Sequence, residues 1–180
     1  LRAARDLSPL GALISCKGWA FDAQFLSSSF FVGGLNGEVL IPFYNAGMEL
    51  VGMKHRRGDG SDHAYAFPGS KLMGTFYGEH LLRSSGPVLL CEGESDVWTA
   101  SWVLRGTGWS VLGLPAGAGS SPFRTDEFAG REFHICLDGD AAGRAGTERW
   151  AGALGTADLK VWQLPEGQDI TSAGGPTWLL

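Results

Sequence analysis

A chain of 180 residues, 44 % of them apolar, is long enough for one good-sized domain or two small ones and can fill a core. No run approaches the roughly 18 to 20 apolar residues of a membrane span, and no basic-then-apolar leader precedes a small-residue cleavage site, so a cytoplasmic protein without membrane contact is expected. The 3 cysteines, Cys16, Cys91 and Cys136, have no C-x-x-C spacing, which excludes a zinc ribbon and a disulfide framework.

The formal charge of −5 argues against a general nucleic-acid coat, but it is unevenly spread. Residues 1–83 carry 8 Lys and Arg against 7 Asp and Glu, whereas residues 84–180 carry 6 against 12. Two lobes with different electrostatic tasks are the simplest account. Leu in place of Met at the first position suggests an excised piece of a longer protein or a processed chain.

Residues 1–37 are rich in Gly, Ser and aromatics, with candidate short helices over Ser8 to Cys16 and around Asp22 to Leu26. From Glu38 the pattern sharpens. Val39, Ile41 and Phe43 alternate at strand period, Asn45-Ala46-Gly47 supplies turn residues, and Met48 to His55 returns as a second strand, predicting a β-hairpin. A regular return strand places Met48, Leu50, Gly52 and Lys54 on one face and Glu49, Val51, Met53 and His55 on the other. It ends in the basic cluster Lys54-His55-Arg56-Arg57. Residues 58–86 read as loop, interrupted by Lys71 to Gly78, and a domain boundary is expected near Ser84-Ser85-Gly86-Pro87.

Beyond it, apolar strands at 87–91, 109–114, 132–137 and 159–164 alternate with helical patterns at 95–105, 123–129 and 141–154. That order implies a parallel sheet with helices on its faces. In helix 95–105, Val97, Ala100, Ser101 and Leu104 form one apolar stripe and Trp98 with Trp102 a second, so the helix should be covered on two sides.

Acids collect at the carboxyl ends of these strands, where open α/β sheets place ligands. Cys136-Leu137-Asp138-Gly139-Asp140 ends one strand, and extended backbone would point Asp138 and Asp140 to the same side, towards one cation or a pair. The same pattern also suits a turn with a helix cap, or an aspartyl-phosphate nucleophile, although the latter lacks a nearby Lys. Glu92-Gly93 repeats the placement at the end of Val88 to Cys91, and a second acid there favours Mg²⁺ and phosphate chemistry. Glu94 and Asp96 fall in the first helical turn, where acids suit the macrodipole in any case. Asp169 follows the last strand.

Glu92-Gly93-Glu94-Ser95-Asp96, then Asp138-x-Asp140-x-x-Gly143, then Gly167-x-Asp169 resemble the Toprim domain of primases, topoisomerases, recombination proteins and some nucleases. Leu114-Pro115-Ala116-Gly117, the segment Ile41 to Arg56 and Lys71 to Gly78 are similar to the primase catalytic core, in particular the primase half of phage-type helicase-primases. The likeness covers roughly residues 35–172.

The resemblance implies a Toprim-type parallel sheet flanked by helices (residues 86–180), preceded by a smaller mixed α+β basic lobe with the hairpin (1–85). It implies DNA-dependent synthesis of short RNA primers from nucleoside triphosphates on a single-stranded DNA template. Glu92, Asp138 and Asp140 would form the Mg²⁺ centre, with Mn²⁺ able to substitute, and Glu92 would also be a candidate proton acceptor. Asp96 and Asp169 would be supporting or second-metal carboxylates. Lys54, Arg56, Arg57, Lys71 and Arg144 would hold template or nucleotide phosphates, unless the first four form a solvated hairpin end and Arg144 a surface salt bridge. Primases usually add a zinc-binding module, and no zinc site is encoded here, so either that module, like a replicative helicase, would be a partner outside this chain or the start site would be found otherwise. The alternatives are a Toprim nuclease or topoisomerase fragment, and a non-catalytic module that binds single-stranded DNA or nucleotides.

Overall fold

The computed structural model describes residues 6–61, 63–154 and 158–180. The chain divides into two compact units, Leu1–Leu72 and Met73–Leu180. The sequence places the division some thirteen residues later, near Ser85. The segment 73–85 goes with the second unit because Phe76 is part of that unit's core, and Tyr77 forms an antiparallel bridge to Gly113.

In the first unit, helix α1 (Ser8–Lys17) begins with Pro9 in its first turn and stops at Gly18, whose φ of 65° lets its N–H reach back to Ile14 and Ser15. Asp22 caps helix α2 (Ala23–Phe30) by accepting the Phe25 amide at 2.7 Å. The antiparallel sheet runs β1 (Gly33–Leu35), β2 (Glu38–Tyr44), β3 (Leu50–Arg57), β4 (Tyr65–Ala66) in that spatial order. The predicted hairpin is β2–β3. Val39, Ile41 and Phe43 turn to the core and are buried. A register shift at Phe43/Tyr44 makes Val51 the extra residue, so the regular alternation on β3 begins at Gly52. Met48 lies in the turn with φ of 62°, outside the strand face expected for it.

The second unit is a parallel sheet of β5 (Val88–Cys91), β6 (Ser110–Gly113), β7 (Phe133–Cys136) and β8 (Leu159–Val161), in the spatial order β6-β5-β7-β8. Helix α3 (Glu94–Val103) follows β5, and α4 (Ala141–Leu154) follows β7. The predicted helix at 123–129 is a single 3₁₀ turn, Thr125–Phe128, and the last strand is shorter than 159–164. The first apolar stripe of α3 is covered within this unit, with Val97, Ala100 and Leu104 buried; on the second, Trp98 is buried and donates its indole N–H to the Tyr77 hydroxyl at 2.7 Å, while Trp102 is half-buried. Cys91 and Cys136 are buried, and Cys16 is exposed. No described helix is long and apolar enough to cross a membrane.

Candidate active site

The spatial order fixes where a ligand belongs. From β5 the chain goes to β6 on one side and then crosses to β7 on the other, so the order reverses between β5 and β7. Open α/β sheets bind ligands at the carboxyl ends of the strands flanking such a reversal. Glu92 directly follows β5, and Asp138 lies two residues past β7. In-register pairing of Cys91 with Cys136 brings these ends level, and the Glu92 carboxylate accepts the Asp138 amide at 3.2 Å.

Asp96 joins them from the first turn of α3. Its side chain is 4 % exposed and accepts the Gly93 amide at 3.2 Å with one oxygen. The other oxygen accepts the Thr171 amide at 3.3 Å and the Thr171 hydroxyl at 3.0 Å. The pairing with Thr171 holds the loop after β8, which carries Asp169, against the start of α3. Burial and the nearby Asp169 push the Asp96 carboxyl up to about 7, against the hydrogen bonds from Thr171 and Gly93. Asp138 is pushed up to about 8 by burial and then by Asp96, Glu92, Asp169 and Asp140, in that order. The other four carboxylates proposed for the site thus act on the Asp138 carboxyl.

The reason expected for pairing Asp138 with Asp140 is not the one observed. The chain bends at Gly139 and Asp140, past the end of the strand. Asp138 is half-buried in the cluster, while Asp140 is exposed and accepts the Gly143 amide at 2.7 Å, capping α4. Asp169 sits in a local turn, accepting the Ser172 amide at 2.5 Å. Among the described residues, no three His, Cys, Asp or Glu side chains stand close enough together to hold a metal ion between them.

Sequence reasoning missed three neighbours. Gly139 donates its N–H to Gln168 at 2.7 Å and accepts from Gly167 at 2.9 Å, tying the Asp138 turn to the Asp169 loop. A Cβ at Gly139 would stand 2.0 Å from the Pro165 carbonyl oxygen, so only glycine allows this approach. Gly117 lies beside Glu92, where a Cβ would be 3.4 Å from its Oε1. Thr171 is the third. A glycine between two aspartates was the available signal for the first, and the likeness of Leu114-Pro115-Ala116-Gly117 to the primase core marked the segment of the second; nothing in the spacing marks Thr171.

Four of the five proposed basic residues belong to the first unit, and Arg144 to the second. Lys54 pairs across the sheet with Ile41, and Arg56 with Val39, which puts both on the face of β3 shared with the core of the first unit; Lys54 Nζ stands 5.3 Å from the Phe43 ring centroid. Arg57 falls on the opposite face, exposed and paired with Asp59 at 3.3 Å. The run Lys54-His55-Arg56-Arg57 is therefore two surfaces and not one cluster. Lys71 is exposed, with its backbone N–H bonded to Val51. Arg144 forms an ion pair with Glu166 at 2.7 Å. Trp98 and Trp150 are core residues; Trp19 and Trp109 are half-buried, Trp19 against Phe21 and Trp109 edge-on to His134.

No protein-family model and no curated protein matches the sequence. Solved structures do. The primase fragment of the bacteriophage T7 primase-helicase protein matches with a TM-score of 0.72 at 19 % identity, covering 87 % of this chain, and the chain spans 66 % of that fragment. The RNA polymerase domain of Mycobacterium tuberculosis primase DnaG gives 0.71 at 17 % identity, covering 93 % of this chain and 73 % of that one. A DnaG primase catalytic domain bound to single-stranded DNA gives 0.67 at 16 % identity, covering 93 % and 68 %. The parallel sheet with its flanking helices, joined in sequence to a separate antiparallel sheet, is the fold of bacterial and phage primase catalytic domains.

Proposed function

We propose that this chain is the catalytic core of a DNA primase, joining nucleoside triphosphates into short RNA primers on single-stranded DNA with Mg²⁺ or Mn²⁺. The observation that carries the reading is the meeting of Glu92 and Asp138 at the topological reversal, with Asp96, Asp140 and Asp169 near enough to help raise the Asp138 carboxyl. Mutual repulsion of that kind is relieved by a hard cation. Mg²⁺ keeps several waters and is held by one or two carboxylates together with substrate phosphates, so an open acidic rim suits it better than a closed cage.

Glu92, Asp138 and Asp140 would hold the metal, with Asp96 and Asp169 shaping the field around them. Bound there, divalent ions would lower the pKa of the primer 3′-hydroxyl and neutralise charge on the departing pyrophosphate. In the joining step the 3′-oxygen forms a bond to the α-phosphorus while the bond to pyrophosphate breaks, and the hydroxyl proton passes to a carboxylate, for which Glu92 is the candidate. Asp96 holds the Thr171 hydroxyl and amide, and so would keep the Asp169 loop in place through the step. Lys54, Arg56, Arg57 and Lys71 would neutralise template or nucleotide phosphates, and Arg144 could do so by exchanging its exposed pair with Glu166.

Incubation with single-stranded template, ribonucleotides and Mg²⁺ or Mn²⁺ tests the reading. Primer products that vanish in Asp138→Asn are expected. Shortened template would point to a nuclease using the same acids, and binding without turnover to a non-catalytic module. A zinc-binding module supplied in trans covers the case in which start-site reading needs one.

A further inference from the structure

We propose that Tyr65 and Phe67, with His55, form a base-stacking platform for single-stranded nucleic acid on the first unit's sheet. The inference deepens the reading above and rests on it for the identity of the strand as template. Tyr65 pairs directly with His55, and the Phe67 amide continues the ladder to the Met53 carbonyl, so Tyr65, Phe67 and His55 share one face of the sheet. It is the face opposite the one that Val39, Ile41 and Phe43 present to the core.

Two of these rings are open to solvent, Tyr65 at 56 % and Phe67 at 37 % exposure, although large aromatic rings are ordinarily drawn inside. They are also held in place. The His55 ring lies 4.6 Å from Phe67 and 6.5 Å from Tyr65 between centroids, and His55 Nδ1 is anchored 2.9 Å from the Glu38 carboxylate. Side chains at alternate positions of a strand stand about 6.6 Å apart, roughly twice the 3.4 Å rise of stacked nucleotides, which suits a strand whose bases are splayed out one per ring. Exposed aromatics on a sheet are a recurrent means of holding single strands, because every base has a π-face.

This face also carries a cation for the strand's backbone. Arg57 projects from this face, and its pair with Asp59 is exposed on both sides, so exchanging the carboxylate for a backbone phosphate costs little. Glu38, also on this face, is engaged by His55. Stacking by Tyr65 and Phe67 would therefore add a contact that is insensitive to salt and to sequence, separate from the phosphate contacts proposed for Lys54 and Arg56.

The test is anisotropy of a short labelled deoxythymidine oligomer, and of an abasic oligomer of equal length, with the full chain in EDTA over a salt series. Tyr65→Ala and Phe67→Ala should each weaken binding of the base-bearing oligomer about 10-fold, within the ~1–3 kcal/mol per base of aromatic stacking, with the slope against log salt unchanged. Tyr65→Phe should retain the affinity, and the abasic oligomer should bind wild type and variants alike. Equal affinity of Tyr65→Ala/Phe67→Ala and wild type for the base-bearing oligomer would overturn the platform, as would an equal loss on the abasic strand; a face that serves a protein partner instead would give the first result. Because divalent ions are absent, the outcome is separate from nucleotide joining. Stacking-dependent binding by a chain that makes no primers would remove the primase reading and not the platform.

Discussion

The Glu92 carboxylate accepts the Asp138 amide at 3.2 Å, across the gap between β5 and β7 where the strand order reverses. One candidate ligand therefore positions the backbone that carries another. Gln can accept the same hydrogen bond through its carbonyl oxygen, but it has no charge for a cation. Glu92→Gln is expected to keep the fold and thermal midpoint while lowering divalent-dependent activity at least about 100-fold, the lower range for a lost acid–base group. Asp138→Asn with Asp140→Asn should abolish it. Full activity in either variant would remove the metal assignment.

The acidic rim predicts how the protein without divalent ions responds to pH. Asp96 and Asp138 have carboxyls raised to about 7 and about 8 in the folded chain, above the ordinary carboxylate range near 4. Between those limits the folded state binds more protons than the unfolded state, so stability falls as pH rises. The thermal midpoint in EDTA should decline from pH 5 to pH 8, and Mg²⁺ should raise it more at pH 8 than at pH 5. Asp138→Asn should flatten both trends. A midpoint that climbs over that range in EDTA, or one indifferent to Mg²⁺ at pH 8, would contradict the arrangement.

Much of this site was legible in the sequence because it depends on strand ends. Short apolar runs located β5 and β7 within a residue or two, and an acid after each run must emerge at the sheet rim whatever the packing. What could not be read were relations carried by backbone and by loops. Thr171 and Gly117 reach the cluster through turns whose paths no periodicity encodes. The two-residue strand β4 is too short for any alternation to show. The basic run misled for the opposite reason: adjacency in sequence suggested one cluster, whereas alternation on β3 sends Lys54 and Arg56 to one face and Arg57 to the other. The division near residue 85 followed Gly and Pro composition, while Phe76 and Tyr77 place the preceding segment in the second unit's packing.

That split of the basic residues is measurable. Lys54→Ala with Arg56→Ala should weaken single-stranded DNA binding and reduce the slope of log K against log salt by roughly 1.4, about 0.7 for each phosphate contact on a single strand. Arg57→Ala alone should change the slope by half as much. If the double variant leaves the slope untouched, that face of β3 does not meet phosphate.

Two glycines in the second unit separate close approach from mere flexibility. Gly152 lies in α4 with nothing within 4 Å of a Cβ, so Gly152→Ala should stabilise the protein by about 0.5–1 kcal/mol through helix propensity alone. At Gly139 a Cβ would meet the Pro165 carbonyl oxygen at 2.0 Å and the Leu164 oxygen at 2.8 Å. The backbone cannot yield there without losing the bonds to Gln168 and Gly167. Gly139→Ala should therefore lower the thermal midpoint and, because those bonds couple the Asp138 turn to the Asp169 loop, also weaken the Mg²⁺-dependent rise in midpoint at pH 8. Denaturant melts of the two variants with and without Mg²⁺ check both halves, and a Gly139→Ala protein as stable and as Mg²⁺-responsive as wild type would show that the loops are not joined through this residue.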